Sequence, residues 1–201
     1  MKWIFWLGWM TFRALFRSFY GLRIEGHEHL VTEGSVLVVS NHQSFMDPPL
    51  VGCLWDTDTY FLARKSLFRG FTAWLYPQWN AIPVDQDRPD MGSLKTVIRL
   101  LKQGRRVVIF PEGSRTEDGN LGEAAPGVGL VAAKSGAVIQ PIRIRGAYEA
   151  LPRGSKCLRP SRLSLTVGPA IRLTPEEITQ ASGKQGYDQL AKRLMAAIAA
   201  L

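Results

Sequence analysis

The sequence predicts an α/β fold, with a mixed central sheet flanked by helices and an amphipathic aromatic helix at the N-terminus. Short apolar, β-branched runs such as 36–39 and 106–110 are typical of buried strands. Segments with helical spacing separate these runs, and glycine, proline or capping residues stand at the junctions. Strands that alternate with helices favour a sheet covered by helices on its faces.

The elements follow one another through most of the 201 residues. Strands are predicted at 22–25, 36–39, 59–63, 81–84, 106–110, 137–144 and 162–167. Helices are predicted from Asp90 to about Gly104, over 128–135, and over a last segment that carries Leu190 and Leu194. Thr174 and Glu177 have the spacing of a capping box. Residues 21–201 are therefore expected to form one domain.

Composition limits the functional classes. A hydrophobic content of 46% and a charged content of 21% are those of a folded globular protein. The net charge of +8 favours an anionic partner, such as a membrane surface, a phosphorylated substrate or nucleic acid. Nucleic acid is disfavoured because the aromatic residues cluster at the N-terminus and no recognition motif is present. Cys53 and Cys157 form no CxxC pair, which fits a reducing compartment.

Residues 1–20 are unusually aromatic and carry Arg13 and Arg17 on one helical face. The uncharged run from Trp3 to Phe12 is too short to span a bilayer, which takes about 20 apolar residues. Nor does the segment have the cleavage site of a signal peptide. We predict an interfacial membrane-anchor helix over 1–20 that contacts lipid through Trp3, Trp6, Trp9, Phe12 and Phe16. The alternative is a first helix packed on the domain core.

Two other stretches leave alternatives open. The aromatic segment 67–79 is either a second membrane-contacting patch or part of the core. His27 and His29 would share one side of an extended chain, which allows a metal site. Without a third ligand motif, ordinary surface residues are the preferred interpretation, and we expect no metal.

A histidine and a carboxylate flank one strand-to-helix turn. His42 follows the strand 36–39, and Asp47 precedes Pro48 and Pro49, which suit the first turn of a helix. Residues five apart on a regular helix diverge by about 140°, so contact between the two side chains requires an irregular turn. The alternative is a helix-capping aspartate beside an exposed histidine.

A second polar loop, 111–120, follows the strand 106–110. In α/β sheets, ligands bind in the loops beyond the carboxyl ends of the strands, so the two loops are expected to form the walls of one site. The chain has neither a GxSxG nucleophile motif nor a GxxxxGK[ST] loop. A His–Asp pair without a protein nucleophile suits direct transfer, in which His42 deprotonates an acceptor hydroxyl and Asp47 orients the imidazole.

Three motifs resemble those of the glycerolipid acyltransferase family. Asn41-His42 through Asp47 matches the NHx4D motif, and Phe110 through Arg115 matches FPEG[ST]R. Ile139-Gln140-Pro141-Ile142 resembles a later apolar-proline motif. The resemblance covers roughly residues 22–170 and is greatest to 1-acylglycerol-3-phosphate O-acyltransferases of the bacterial type.

This resemblance implies transfer of a fatty acyl group from acyl-CoA or acyl carrier protein, as co-substrate, to a lysophospholipid such as lysophosphatidic acid. It implies no cofactor and no metal, and a peripheral position on the cytoplasmic face of the cell membrane. His42 would be the general base and Asp47 its partner. The substrate site would include Glu112, Gly113, Ser114 and Arg115, with Arg115 on a phosphate and with Gly113 letting a backbone N–H come close to the phosphate or the thioester oxyanion.

Two departures from the family pattern concern the acceptor. Gln86 stands where the family has an arginine, and Arg88 is the candidate to replace it. Ala124 and Ala125 stand where Phe-Lys is common. Both changes remove positive charge, so another lyso-lipid or an amine-bearing lipid is an alternative acceptor. A non-catalytic lipid-binding or membrane-binding domain is the alternative from another class.

Overall fold

The computed structural model describes residues 3–85 and 91–201, and within them a seven-stranded sheet organises the chain. The strands are β1 (Arg23–Glu25), β2 (Val36–Ser40), β3 (Thr59–Arg64), β4 (Ala81–Val84), β5 (Arg106–Ile109), β6 (Val138–Arg145) and β7 (Ser164–Val167). Their order across the sheet is β1-β7-β6-β2-β5-β3-β4. Only β6 and β7 pair antiparallel, so the predicted mixed α/β sheet is confirmed.

Helices cover both faces of this sheet. They are α1 (Trp3–Tyr20), α2 (Asp47–Gly52), α3 (Phe71–Gln78), α4 (Met91–Lys102), α5 (Gly127–Ser135), α6 (Ala147–Ala150), α7 (Pro175–Gln180) and α8 (Gly183–Ala199). The predicted capping box is confirmed at the start of α7, where Thr174 and Glu177 bond to each other's backbone N–H. The predicted start at Asp90 and the residues Gln86 and Arg88 lie outside the described residues.

The central strand β2 has apolar side chains on both faces, which divides the core in two. Leu37 and Val39 lie in the layer beneath α4, α5 and α8. Val36 and Val38 lie in the layer beneath α1 and α2. A strand buried on both sides reads as a continuous apolar run rather than an alternating one, as the sequence of β2 does.

Helix α1 has two different faces. Helical spacing places Phe5, Trp9, Phe12 and Phe16 on one side, and this side faces the protein. Phe16 is 1% exposed and lies in the core, which corrects the prediction that it contacts lipid. Trp9 and Phe12 are half-buried. Trp3 and Trp6 lie outside this buried side and remain exposed, Trp3 by 73%.

The aromatic segment around α3 is also divided. Trp79 donates its indole N–H to the carbonyl of Ile4 at 3.3 Å, and its ring packs edge-on against Phe12 at 5.7 Å. Phe71 and Trp74 are exposed instead. Part of this segment therefore joins α1 to the domain, and the predicted lipid contact of the remainder stays a prediction. None of the described helices has both the length and the hydropathy needed to cross a bilayer.

Candidate active site

The predicted contact between His42 and Asp47 is present. Nδ1 of His42 lies 2.7 Å from Oδ2 of Asp47. The contact forms because residues 41–46 make an irregular turn and α2 begins only at Asp47. The carboxylate does not cap α2, as the alternative interpretation had it, but accepts the backbone N–H groups of Gln43 and Ser44.

Asp47 is fully buried, and its two carboxylate oxygens have different surroundings. Oδ2 accepts the three hydrogen bonds from His42, Gln43 and Ser44, whereas Oδ1 is buried without a partner among the described residues. Burial therefore raises the pKa of Asp47, and the hydrogen bonds oppose that shift. Since Oδ2 acts as an acceptor, Nδ1 of His42 is the donor and its Nε2 carries the free lone pair.

The loop after β5 holds His42 from the other side. The backbone N–H of His42 donates to Oε1 of Glu112 at 3.3 Å, and its carbonyl accepts the N–H of Thr116 at 2.8 Å. The ring of Phe110 stacks on the imidazole with centroids 4.1 Å apart. The two loops lie side by side because β2 and β5 are parallel neighbours, with Val39 paired to Ile109. The two loops are thus in contact, as predicted, and that they form the walls of one site stays a prediction.

Asn41 helps to position His42, and Phe110 stacks on its ring; the motifs in the sequence predicted neither role. The side-chain amide of Asn41 donates to the carbonyl of Ile144 at 3.0 Å and accepts its N–H at 2.7 Å. It thereby continues the pairing of β2 with β6 by one further residue, directly before His42. The position of Asn41 at the strand end is the only sequence signal for this role.

Glu112 lies behind His42 and is absent from the described residues that line the cavity beside it. Burial raises the pKa of Glu112 to about 7, and the negative charge of Asp47 adds to this shift. The N–H groups of His42 and Gly122 and the positive charge of Arg143 oppose it. The geometry thus gives Glu112 a supporting position against the backbone of His42.

The backbone N–H groups of residues 113–115 have different surroundings. Gly113 has a φ of 71°, which glycine adopts without strain, but its N–H closes the turn onto the carbonyl of Phe110 at 3.0 Å. That N–H is engaged within the turn, and the predicted approach of a backbone N–H of this loop to a phosphate or oxyanion stays a prediction. The N–H groups of Ser114 and Arg115, by contrast, have no backbone acceptor in the described part of the chain.

Arg115 lies over the ring of Phe45, with its guanidinium carbon 3.8 Å from the ring centroid. Within residues 3–85 and 91–201, no group accepts a hydrogen bond from this guanidinium. Burial lowers its pKa, and the nearby charge of Arg153 adds to that shift. A fixed cation with its donors unoccupied is suited to binding an anion.

A largely apolar cavity of about 660 Å³ adjoins these polar groups. Its lining includes His42, Ser114, Arg115 and Arg153. The apolar wall comes from α1, α2, β3 and the end of α3, and includes Trp9, Phe12, Phe16, Pro49, Phe61 and Trp79. Three of the five residues predicted to contact lipid, Trp9, Phe12 and Phe16, thus form part of this wall. The volume lies within the usual range for ligand sites, roughly 300–1,000 Å³.

His27 and His29 belong to a single 3₁₀ turn rather than to an extended strand, and both are exposed. In the described part of the chain, no group of three or more histidine, cysteine, aspartate or glutamate side chains could hold a metal ion.

The fold and the paired motif loops define a class of protein. A sequence model of the family described as Acyltransferase matches residues 21–145. The match spans more than half of the chain and includes both strand-end loops, so the chain belongs to the Acyltransferase family.

Individual relatives agree with this membership. The chain is 35% identical over 142 residues to a chloroplast 1-acyl-sn-glycerol-3-phosphate acyltransferase of Arabidopsis thaliana, with 69% of the chain and 40% of the relative covered. It is 28% identical over 153 residues to the Bacillus subtilis 1-acyl-sn-glycerol-3-phosphate acyltransferase, with 74% and 72% covered. It thus spans about two fifths of the plant relative and most of the bacterial one.

A solved structure has the same fold. The crystal structure of the 1-acyl-sn-glycerophosphate acyltransferase PlsC of Thermotoga maritima matches all of this chain and 80% of its own, with a TM-score of 0.73 and 25% identity.

Replacement of Glu112 by glutamine should change the pH dependence of folding. The pKa of the Glu112 carboxyl in the folded protein, about 7, lies above its ordinary value of 4.5. The folded state therefore binds more protons than the unfolded state between these values, and stability is lost as pH rises through this window. We expect the free energy of unfolding of wild type, relative to Glu112→Gln, to fall between about pH 4.5 and 7 and then level off. Urea unfolding of both proteins from pH 4 to about 8 measures this difference.

The control is Glu123→Gln, which removes an exposed carboxylate from the same region. It should follow the wild-type pH profile throughout. Parallel profiles for wild type and Glu112→Gln would contradict the raised pKa.

Proposed function

We propose that this protein transfers a fatty acyl group from a thioester donor to the free hydroxyl of lysophosphatidic acid, forming phosphatidic acid. One observation carries the proposal: His42, whose Nε2 is left free by the pairing of Nδ1 with Asp47, lines an apolar cavity together with Arg115, whose guanidinium has no acceptor among the described residues. The cavity suits an acyl chain, and Arg115 suits the phosphate of the acceptor. The donor is acyl-CoA or acyl carrier protein.

Direct attack accounts for the residues present. Nε2 of His42 takes the proton of the acceptor hydroxyl as its oxygen attacks the thioester carbonyl carbon. Asp47 holds the Nδ1 proton and stabilises the imidazolium that forms. When the carbon–sulfur bond breaks, the imidazolium returns the proton to the leaving thiolate. The N–H groups of Ser114 and Arg115, which have no backbone acceptor in the described residues, are candidates to stabilise the oxyanion.

Two alternatives to acyl transfer onto lysophosphatidic acid can be tested. Another lyso-lipid, or an amine-bearing lipid, could replace lysophosphatidic acid as acceptor without a change in chemistry. A non-catalytic lipid-binding domain would need the cavity and the basic surface but not the base. The buried hydrogen bonds that fix the tautomer of His42 favour catalysis, since lipid binding alone has no use for them.

Replacement of His42 by alanine should lower kcat/KM for acyl transfer by about 10²–10⁴-fold, because a positioned general base contributes about that much. Thiol release from acyl-CoA in the presence of lysophosphatidic acid measures the rate, and circular dichroism checks the fold. His27→Ala, which removes an exposed histidine outside the site, is the matched control. Retained turnover in His42→Ala would contradict the assignment of His42 as general base. Absence of acyl transfer by the wild-type protein would favour the alternative of a non-catalytic lipid-binding domain.

We also propose that the protein associates peripherally with the cytoplasmic face of the cell membrane through the exposed side of α1. Trp3 and Trp6 are exposed there, and Arg13 and Arg17 supply positive charge on the same helix. Trp and Arg on an amphipathic helix suit the headgroup layer of an anionic membrane. Binding at this face would bring the cavity wall formed by α1 next to the lipid that supplies the acceptor.

The double variant Trp3→Ala, Trp6→Ala should bind less well to vesicles that contain phosphatidylglycerol. Burial of a large apolar side chain contributes about 1.5–3 kcal/mol, so the vesicle partition coefficient should fall by about tenfold or more. Sedimentation with vesicles measures it. Met91→Ala is the control, because Met91 is an exposed apolar residue on α4, over the other face of the sheet. Sedimentation of the double variant equal to that of wild type would rule out this contact.

A further inference from the structure

Arg153 lies near Arg115 at the cavity, although it comes from a part of the chain outside the three motifs at 41–47, 110–115 and 139–142. Arg153 follows α6 and lines the same cavity as His42 and Arg115. Its Nη1 lies 3.4 Å from the carbonyl oxygen of Arg115 and 3.0 Å from Oε1 of Glu117. These contacts place its guanidinium against the loop that follows β5.

Two guanidinium groups at one cavity repel each other unless an anion lies between them. The carboxylates nearby do not fill that role. Asp47 is engaged with His42 and its own turn. Glu117 is 82% exposed, and an ion pair so open to water costs little to break. Arg115 itself has no hydrogen-bond acceptor among the described residues.

We propose that Arg153 is a second arginine of the acceptor site and that it binds the phosphate monoester of the acceptor together with Arg115. Paired arginines match the geometry and charge of a phosphate dianion. This inference rests on the proposed function and deepens it. It supplies, from a different element, positive charge of the kind that the sequence lacks at Gln86.

The test is Arg153→Gln, assayed with acyl-CoA and a varied concentration of lysophosphatidic acid. A hydrogen bond to a charged group is strong, so KM for lysophosphatidic acid should rise by about tenfold to a hundredfold, with little change in kcat. KM for acyl-CoA should stay as in wild type, as should KM for monoacylglycerol, which lacks the phosphate. Arg153→Lys should restore part of the loss.

Two controls separate binding from structure. Arg159→Gln removes the same charge from the same segment, but Arg159 does not line the cavity, so its kinetics should stay at wild-type values. Glu117→Gln breaks the ion pair but leaves Arg153 in place, so KM for lysophosphatidic acid should not rise. If Glu117→Gln reproduces the effect of Arg153→Gln, the arginine acts only through loop structure and the proposal fails.

Three other results would contradict the role of Arg153 in binding the acceptor phosphate. An unchanged KM for lysophosphatidic acid, an equal rise for monoacylglycerol, or a rise for acyl-CoA alone would each overturn the proposal; the last would assign Arg153 to the donor phosphates. Trp9 and Trp79 line the cavity, so tryptophan fluorescence can follow binding of lysophosphatidic acid without turnover. Binding weakened by Arg153→Gln in a protein without transferase activity would support this site and refute the proposed function.

Discussion

The site depends on a carboxylate that is removed from water. Burial of Asp47 is costly, and the three donors that converge on its Oδ2 offset that cost. Two of the donors are backbone N–H groups of the turn itself, so the turn can satisfy the carboxylate only in its irregular form. The same bonds orient the imidazole of His42. The shape of the turn and the tautomer of the histidine thus have one physical cause.

The parallel pairing of β2 with β5 extends this constraint to a second loop. Both backbone polar groups of His42 are bonded to residues of the loop 110–116, and Phe110 covers one face of its ring. Asn41 ties the same strand end to β6 through Ile144. The central strand β2 and its neighbours β5 and β6 therefore together fix the position of His42. Displacement of either loop would move the imidazole relative to the cavity.

The sequence predicted the strands and located the two loops, because buried strands and their polar ends have strong local signals, but it did not predict the order of the strands in the sheet. The contact of His42 with Asp47 followed from spacing and from the proline-rich helix start. Arg153 could not be found in this way, since it meets Arg115 only through tertiary folding and carries no motif. The same limit applies to the Gly113 N–H, whose partner within the turn depends on local backbone geometry.

Helix α1 illustrates why composition alone misassigned a residue. Aromatic content favoured lipid contact for the whole helix, but a helix that lies between a domain and a membrane needs two apolar faces. Phe16 belongs to the inner face, and Trp3 belongs to the outer one. The inner face also closes the cavity, so the proposed anchor and the proposed acyl site share one helix.

Direct transfer from donor to acceptor forms no covalent enzyme intermediate. Its most direct test mixes a stoichiometric excess of acyl-CoA with the protein in the absence of acceptor, followed by rapid-quench measurement of free thiol and by intact mass. Direct transfer predicts no thiol release above background and no acylated protein until lysophosphatidic acid is added. A burst of about one equivalent of thiol, with a matching increase in protein mass, would contradict it, since such a burst is the signature of a protein nucleophile.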